Sequence, residues 1–315
     1  MFLYDDLKQI RPIEGEQVQC PINGCKKKVP RRHRGDRIND KRFLCPKHPI
    51  FISPSTFAYK EEKDNFLWND EEESAFLNKI KGVKRETRRL GHENSEDAVT
   101  WNVFRYLERN NLLESYLTEI SGKHQLNPEV IYWTYSKNEG RVWTPLENAW
   151  EKFEKYTPNH RTEPDLIIKT EDAVFFTEVK LNSGNDTEPS NQRVKEKYLA
   201  NGWFLEVFNN SFDEIAVKAK KYQLMRMWLL GSWIARESNF YLLNLVSKKD
   251  GRRDEFSKFI KQSKHRIFAK KTWGDIQQLI KRSGGDPIEK GSILSYFKGK
   301  TAGYRGKVLQ RAFEL

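Results

Sequence analysis

PDLIIKTEDAVFFTEVKL, residues 164–181, decides the fold. Two apolar runs, Leu166-Ile167-Ile168 and Ala173-Val174-Phe175-Phe176, flank Thr170-Glu171-Asp172, whose composition is that of a turn. β-Branched and aromatic residues bounded by turn formers read as two strands of a hairpin. Its charges are not placed as a solvated face would place them. Glu178 and Lys180 bracket Val179 inside the second apolar run, where an unpaired charge is costly. Side chains two apart on a strand share a face, so these two project together. Folding the chain about 170–172 brings Asp165, at the start of the first strand, across from Glu178, late in the second. Two carboxylates and an ammonium thereby converge. A surface Glu–Lys pair contributes little, and such a pair gives no reason for the apolar neighbours on both sides.

Working outward, Asn94 or Ser95 caps a helix that runs to about Arg109, with Val99, Val103, Phe104 and Leu107 on one face. VIYWTY, residues 130–135, is β-rich. Asp213 to Ala235 reads as one long helix, broken mildly at Gly231, and FYLLNLV at 240–246 as a short buried strand. The order is helix, strand, strand, strand, helix, strand. Beyond it stand a helix near 253–263, a brief strand near 265–269, and helices near 273–283 and 290–297. Two carboxylates at one point suit a hard divalent cation such as magnesium, which takes oxygen ligands and keeps several waters. Such an ion can hold a phosphate, activate water and offset charge on a leaving oxygen. Lys180 then lies beside the attacking water or the phosphate.

Glu163-Pro164-Asp165, twelve residues and then Glu178-Val179-Lys180 resemble the motif of the PD-(D/E)xK nuclease superfamily. The proline, the spacing, the hairpin and the element order all match, over roughly residues 91–247. GHENSEDAVTWNVF, TEVKLNSGN and KYQLMRMWLLG together look like a bacterial, defence-associated branch of that superfamily. The resemblance implies an α/β protein with a restriction-endonuclease-like αβββαβ core and a mixed sheet. It implies magnesium or manganese held by Asp165, Glu178 and the Val179 carbonyl, with cleavage of DNA as an endonuclease in anti-phage defence or restriction. Members also carry an acid on the helix before the hairpin. Glu96 fits, lying three and seven residues ahead of Val99 and Val103 and hence on the inward stripe; Glu93 is the alternative. Gln223, on the long helix, resembles a glutamine that some subfamilies place near the site. The competing expectations are a non-catalytic nucleic-acid-binding protein and a structure-specific resolvase or repair nuclease.

The cysteines point elsewhere. Cys20-Pro21-Ile22-Asn23-Gly24-Cys25 puts two thiols on a tight turn, and Cys45-Pro46-Lys47-His48 adds a thiol and an imidazole across a nineteen-residue loop. Four such donors fit a closed tetrahedral zinc site. All three cysteines of the chain are used there, which argues against a disulfide framework. His33 could replace His48 but lacks a paired partner nearby. The zinc is expected to be structural and to supply folding energy to a zinc-ribbon-like module. Lys26, Lys27, Lys28, Arg31, Arg32 and Arg34 on its loop are candidate phosphate contacts.

Charge follows the same division. Residues 20–48 sum to +8 and residues 248–315 to +11, whereas the whole chain is +12, leaving −7 for everything else. Basic ends with interleaved aromatics, among them Trp273, Tyr296, Phe297 and Tyr304, suit a polyanion, double-stranded DNA being the expected partner; core packing is an equally ordinary reading of those four rings. A homodimer or a defence-system partner protein is left open. No apolar run approaches the ~20 residues needed to span a bilayer, and residues 1–6 lack the order of a signal peptide. A cytoplasmic protein without membrane contact is expected. The domains expected are a zinc-ribbon-like module at 1–60, a charged connector at 61–90, a nuclease core at 91–247, and a basic, helical C-terminal extension at 248–315.

Overall fold

The structure, a computed structural model, describes residues 1–83, 89–155, 160–181, 184–191, 194–200, 202–247 and 255–313. Packing divides the chain into two units. One comprises Met1–Asn78, Arg85–Asn111 and Trp273–Leu315; the other comprises Lys79–Lys84 and Leu112–Thr272. Boundaries drawn from composition follow the sequence, whereas these units interleave it.

The first unit begins as short strands. β1 (Ile13–Glu14), β2 (Gln17–Gln19) and β3 (Lys28–Pro30) form an antiparallel sheet, and β4 (Ile50–Ile52) pairs with β5 (Phe57–Tyr59). Strands this short bury little alone, and Val18, Val29, Ile50, Ile52 and Phe57 share one small core with the three cysteines. Helices α1 (Glu71–Lys81) and α2 (Glu96–Arg109) follow. α2 starts where the sequence places it because Ser95 Oγ accepts the Ala98 amide at 3.1 Å. Its expected stripe, Val99, Val103, Phe104 and Leu107, is buried. Arg105 ties α2 to α1 through Glu73 at 2.5 Å, an ion pair screened from water at 12% and 3% exposure.

The second unit adds α3 (Leu113–Ser121), β6 (Glu129–Tyr132), β7 (Tyr135–Ser136), β8 (Arg141–Val142), α4 (Thr144–Phe153), β9 (Leu166–Lys169) and β10 (Ala173–Val179). Then come α5 (Lys195–Leu199), α6 (Trp203–Val207), α7 (Tyr222–Ile234), β11 (Asn239–Val246) and β12 (Arg266–Thr272). The seven strands form one mixed sheet in the order β12-β11-β10-β9-β6-β7-β8. β10, β11 and β12 run parallel, and the pairs from β10 through β9 to β8 are antiparallel. VIYWTY is not one strand. Trp133 and Thr134 take φ of +43° and +85° and turn β6 into β7.

One face of this sheet is apolar and covered by α4 and α7, with Ile131, Ile167, Phe176, Leu242 and Phe268 in the shared core. The expected helix over 213–235 is interrupted before α7 rather than at Gly231. Asp213–Lys218 forms a π-helical turn, Lys220 sits at φ +55°, and α7 begins at Tyr222. Gly231 stays helical for a different reason. A Cβ there would lie 2.2 Å from the Phe240 ring, so glycine lets α7 settle onto β11.

The chain then returns to the first unit as α8 (Trp273–Arg282), α9 (Pro287–Gly299) and a hairpin of β13 (Thr301–Arg305) with β14 (Val308–Arg311). The helical extension expected over 248–315 is therefore only part helix, because β12 belongs to the main sheet. The start of the helix expected near 253–263 lies outside the described residues, and Glu255–Phe259 is a 3-10 turn. In sequence, Trp273, Tyr296, Phe297 and Tyr304 are open to two readings, contact with a polyanion or core packing. All four are buried, with Trp273 and Phe297 packed on Phe313, which is the second. Among the described residues no helix is long and apolar enough to cross a membrane.

Candidate functional site

The hairpin assembles its charged groups by register. Val174, Phe175, Phe176 and Thr177 oppose Lys169, Ile168, Ile167 and Leu166. One step further on the same register sets Glu178 against Asp165, on the face covered by α7. The Val179 amide donates to Asp165 Oδ2 at 2.8 Å, which anchors the aspartate at the strand end. Within a strand the N–H and C=O of one residue point to the same side, so the Val179 carbonyl also opens toward Asp165. Glu178 is fully buried. Its Oε1 is ion-paired with the Lys180 ammonium, itself 13% exposed, and its Oε2 accepts Gln223 Nε2 at 2.9 Å. Gln223 reaches it because Thr187 fixes the first turn of α7, its Oγ1 accepting the Gln223 amide at 2.8 Å.

The structure thus brings together Asp165, Glu178, Lys180 and Gln223, all in the second unit. Glu96 is the first residue of α2, half-buried, and belongs to the first unit. Glu93, the alternative helix acid, is buried 3.7 Å from Lys300 Nζ and accepts the Thr301 amide at 3.2 Å, a structural pairing within the first unit. Sequence reasoning missed two members of the cluster's row. Asn244 on β11 is level with Glu178, and Lys270 on β12 is level with Asn244. The signal was a polar residue interrupting FYLLNLV.

A cavity of about 410 Å³ adjoins Gln223, with Arg161, Lys197, Tyr222 and Arg226 among its walls. Beneath it lies the carboxylate of Glu154, wholly buried, which accepts the Thr162 amide at 2.6 Å, Tyr198 OH at 2.8 Å and Arg226 Nη2 at 2.9 Å. Burial favours the neutral acid there, but Arg226 and the Thr162 amide outweigh it and hold Glu154 below the usual carboxylate range. Burial pushes Lys197 down to about 8.

The second cluster is in the first unit. Cys20, Cys25, Cys45 and His48 place one ligand atom each within 4.8 Å of all the others, and the three thiols are buried and free of disulfides. His48 Nδ1 lies 3.5 Å from Cys20 Sγ and 3.6 Å from Cys45 Sγ. A tetrahedral zinc ion, with bonds of about 2.3 Å to sulfur and about 2.0 Å to nitrogen, holds those atoms roughly 3.5 Å apart. The group is therefore able to hold a metal such as zinc. His33 is exposed and bonded to Glu16 at 2.8 Å, which removes it from the ligand set. Lys8 closes the knuckle, donating to Gln19 Oε1 at 2.9 Å, to the Cys20 carbonyl at 2.8 Å and to the Cys25 carbonyl. Of the loop cations, Lys26, Lys27, Lys28, Arg31 and Arg34 are exposed and Arg32 half-buried, and Lys28 is paired with Glu14.

Compared with models of known protein families, with curated proteins and with solved structures, the chain gives no significant match.

Proposed function

We propose that the chain is a divalent-metal-dependent nuclease that hydrolyses phosphodiester bonds of DNA. The observation that carries this is the convergence of Asp165, Glu178, Lys180 and Gln223 where the α7-side face of the sheet changes from apolar to polar. The donor set fits a hard cation: two carboxylates from adjoining strands and the Val179 carbonyl opening beside them, all oxygen. Asp165, Glu178 and that carbonyl are the residues that would hold magnesium or manganese. Such an ion polarises the phosphate and lowers the pKa of a bound water. The protein's own part is to position. The Val179 amide fixes Asp165, Gln223 fixes one oxygen of Glu178, and Lys180 presents an ammonium to developing negative charge. Arg161, Lys197 and Arg226 border the adjoining cavity and favour a phosphate chain there. The restriction-endonuclease-like core, the helix acid Glu96 and a role in defence rest on the resemblance in residues 91–247. In the same reading zinc holds Cys20, Cys25, Cys45 and His48 as a structural centre, and the exposed loop cations contact phosphates.

The test is incubation with supercoiled plasmid, linear duplex and RNA, with and without magnesium or manganese. Plasmid should be nicked and linearised only with the divalent ion, and Asp165→Ala should abolish it. DNA bound but never cut, with any cation, would make the chain a binding protein instead.

A further inference from the structure

The sheet face under α7 is graded in rows across β9, β10, β11 and β12. One row is Ile167, Phe176, Leu242 and Phe268, wholly apolar and in the core. The next is Glu178, Asn244 and Lys270, with Asp165 at its β9 end. Within that row Asn244 is anomalous. It is 3% exposed, and its Oδ1 has no hydrogen-bond donor among the described residues. Leaving a buried acceptor unpaired is unfavourable, a penalty that a leucine there would not incur.

The neighbouring carboxylate shows what that oxygen could receive. Both oxygens of Glu178 are engaged, one by Lys180 and the other by Gln223. A divalent cation that binds Glu178 through Oε1 competes there with the Lys180 ammonium, and it repels that like charge. Lys180 lies two residues beyond Glu178, but its amine has folded back to the level of Glu178. Asn244 stands at that same level on the adjacent strand. We infer that Asn244 is a positioning residue that receives Lys180 when Glu178 takes a cation, and so holds the ammonium beside the metal centre. This rests on the proposed reading of Glu178 as a cation ligand.

The experiment is calorimetric titration of manganese into the intact protein and its variants, with folding checked by thermal melts. Asn244→Leu should weaken manganese binding roughly tenfold or more, the scale of one hydrogen bond to a charged group. In a Lys180→Met background Asn244→Leu should change nothing, because no ammonium remains to rehouse. Asn244→Ala carries the same expectations should leucine not fit. Unchanged binding in folded Asn244→Leu and Asn244→Ala overturns the inference, as does an equal loss with and without Lys180. Equal binding by wild type and Asp165→Ala would instead remove the cation site itself, and the inference with it.

Discussion

The thiol cluster and the carboxylate row gather donors by opposite means. The cluster draws its four from two tight turns and buries all the sulfurs, so a tetrahedral metal held there would have no position left for a substrate. Its surroundings are strands of two or three residues with little core of their own. The row draws on four strands of one sheet and is held from below by Ile167, Phe176, Leu242 and Phe268. Its two carboxylates come from one hairpin, so a hard ion there would keep water or substrate in its other positions. The difference is in what supplies the order. A soft, closed site can organise a weak scaffold, whereas a hard, open site must be organised by a strong one.

Removing one side chain from each cluster should therefore have different consequences. Cys45→Ser is expected to lose the metal and unfold residues 20–50, because zinc in small modules contributes about 10–16 kcal/mol of folding free energy. Elemental analysis and limited proteolysis would show it, and full zinc retention would contradict the ligand set. Lys180→Ala should leave the fold and DNA affinity nearly unchanged while cleavage falls by about 10²–10⁴. Single-turnover assays beside a binding isotherm separate the two. Wild-type cutting by that variant would make Lys180 a bystander.

Acid offers a third way to tell the regions apart. Burial, with Arg89 and Arg32 adding repulsion, pushes His92 in the first unit down to about 4. An unfolded chain takes up its proton near 6.5, so below that pH the unfolded state binds more protons and stability falls. The loss should develop between pH 6.5 and about 4 and reach about 2–3 kcal/mol. Denaturant melts of wild type and His92→Asn should diverge over that window, and parallel curves would show that His92 is not the group responsible. The smallest effect per residue is expected from the loop cations. Neutralising Lys26, Lys27, Arg31 and Arg34 should leave zinc content intact and flatten the salt dependence of DNA binding, its log–log slope falling by about 0.9 for each phosphate no longer neutralised. An unchanged slope would mean that the loop faces another partner.

That both clusters of side chains come together could be read from the sequence, but for unequal reasons. Cys20, Cys25, Cys45 and His48 announce themselves because thiols are rare and each has a near neighbour. Asp165, Glu178 and Lys180 were legible because a turn at 170–172 fixes hairpin register locally. Asn244 and Lys270 were not, since parallel pairing of β11 and β12 depends on connections that periodicity does not measure. Whether Trp273, Tyr296, Phe297 and Tyr304 are buried could not be decided for a related reason. An aromatic set among lysines looks the same in sequence whether it faces water or the segments it folds against. Unit boundaries escaped most fully, because Trp273–Leu315 packs with segments far earlier in the chain.

The π-helical turn and the left-handed Lys220 do more than end one helix and begin another. They set the angular phase of α7, which advances about 100° with every residue. Gln223 meets Glu178 at one phase, and a single-residue insertion or deletion between Ala219 and Lys221 would offer Glu178 the apolar Leu224 or the ring of Tyr222 instead. Side chains along α7 can drift under selection, but the number of residues leading into it cannot. Among descendants of this chain, that short stretch should vary in letters and stay constant in length.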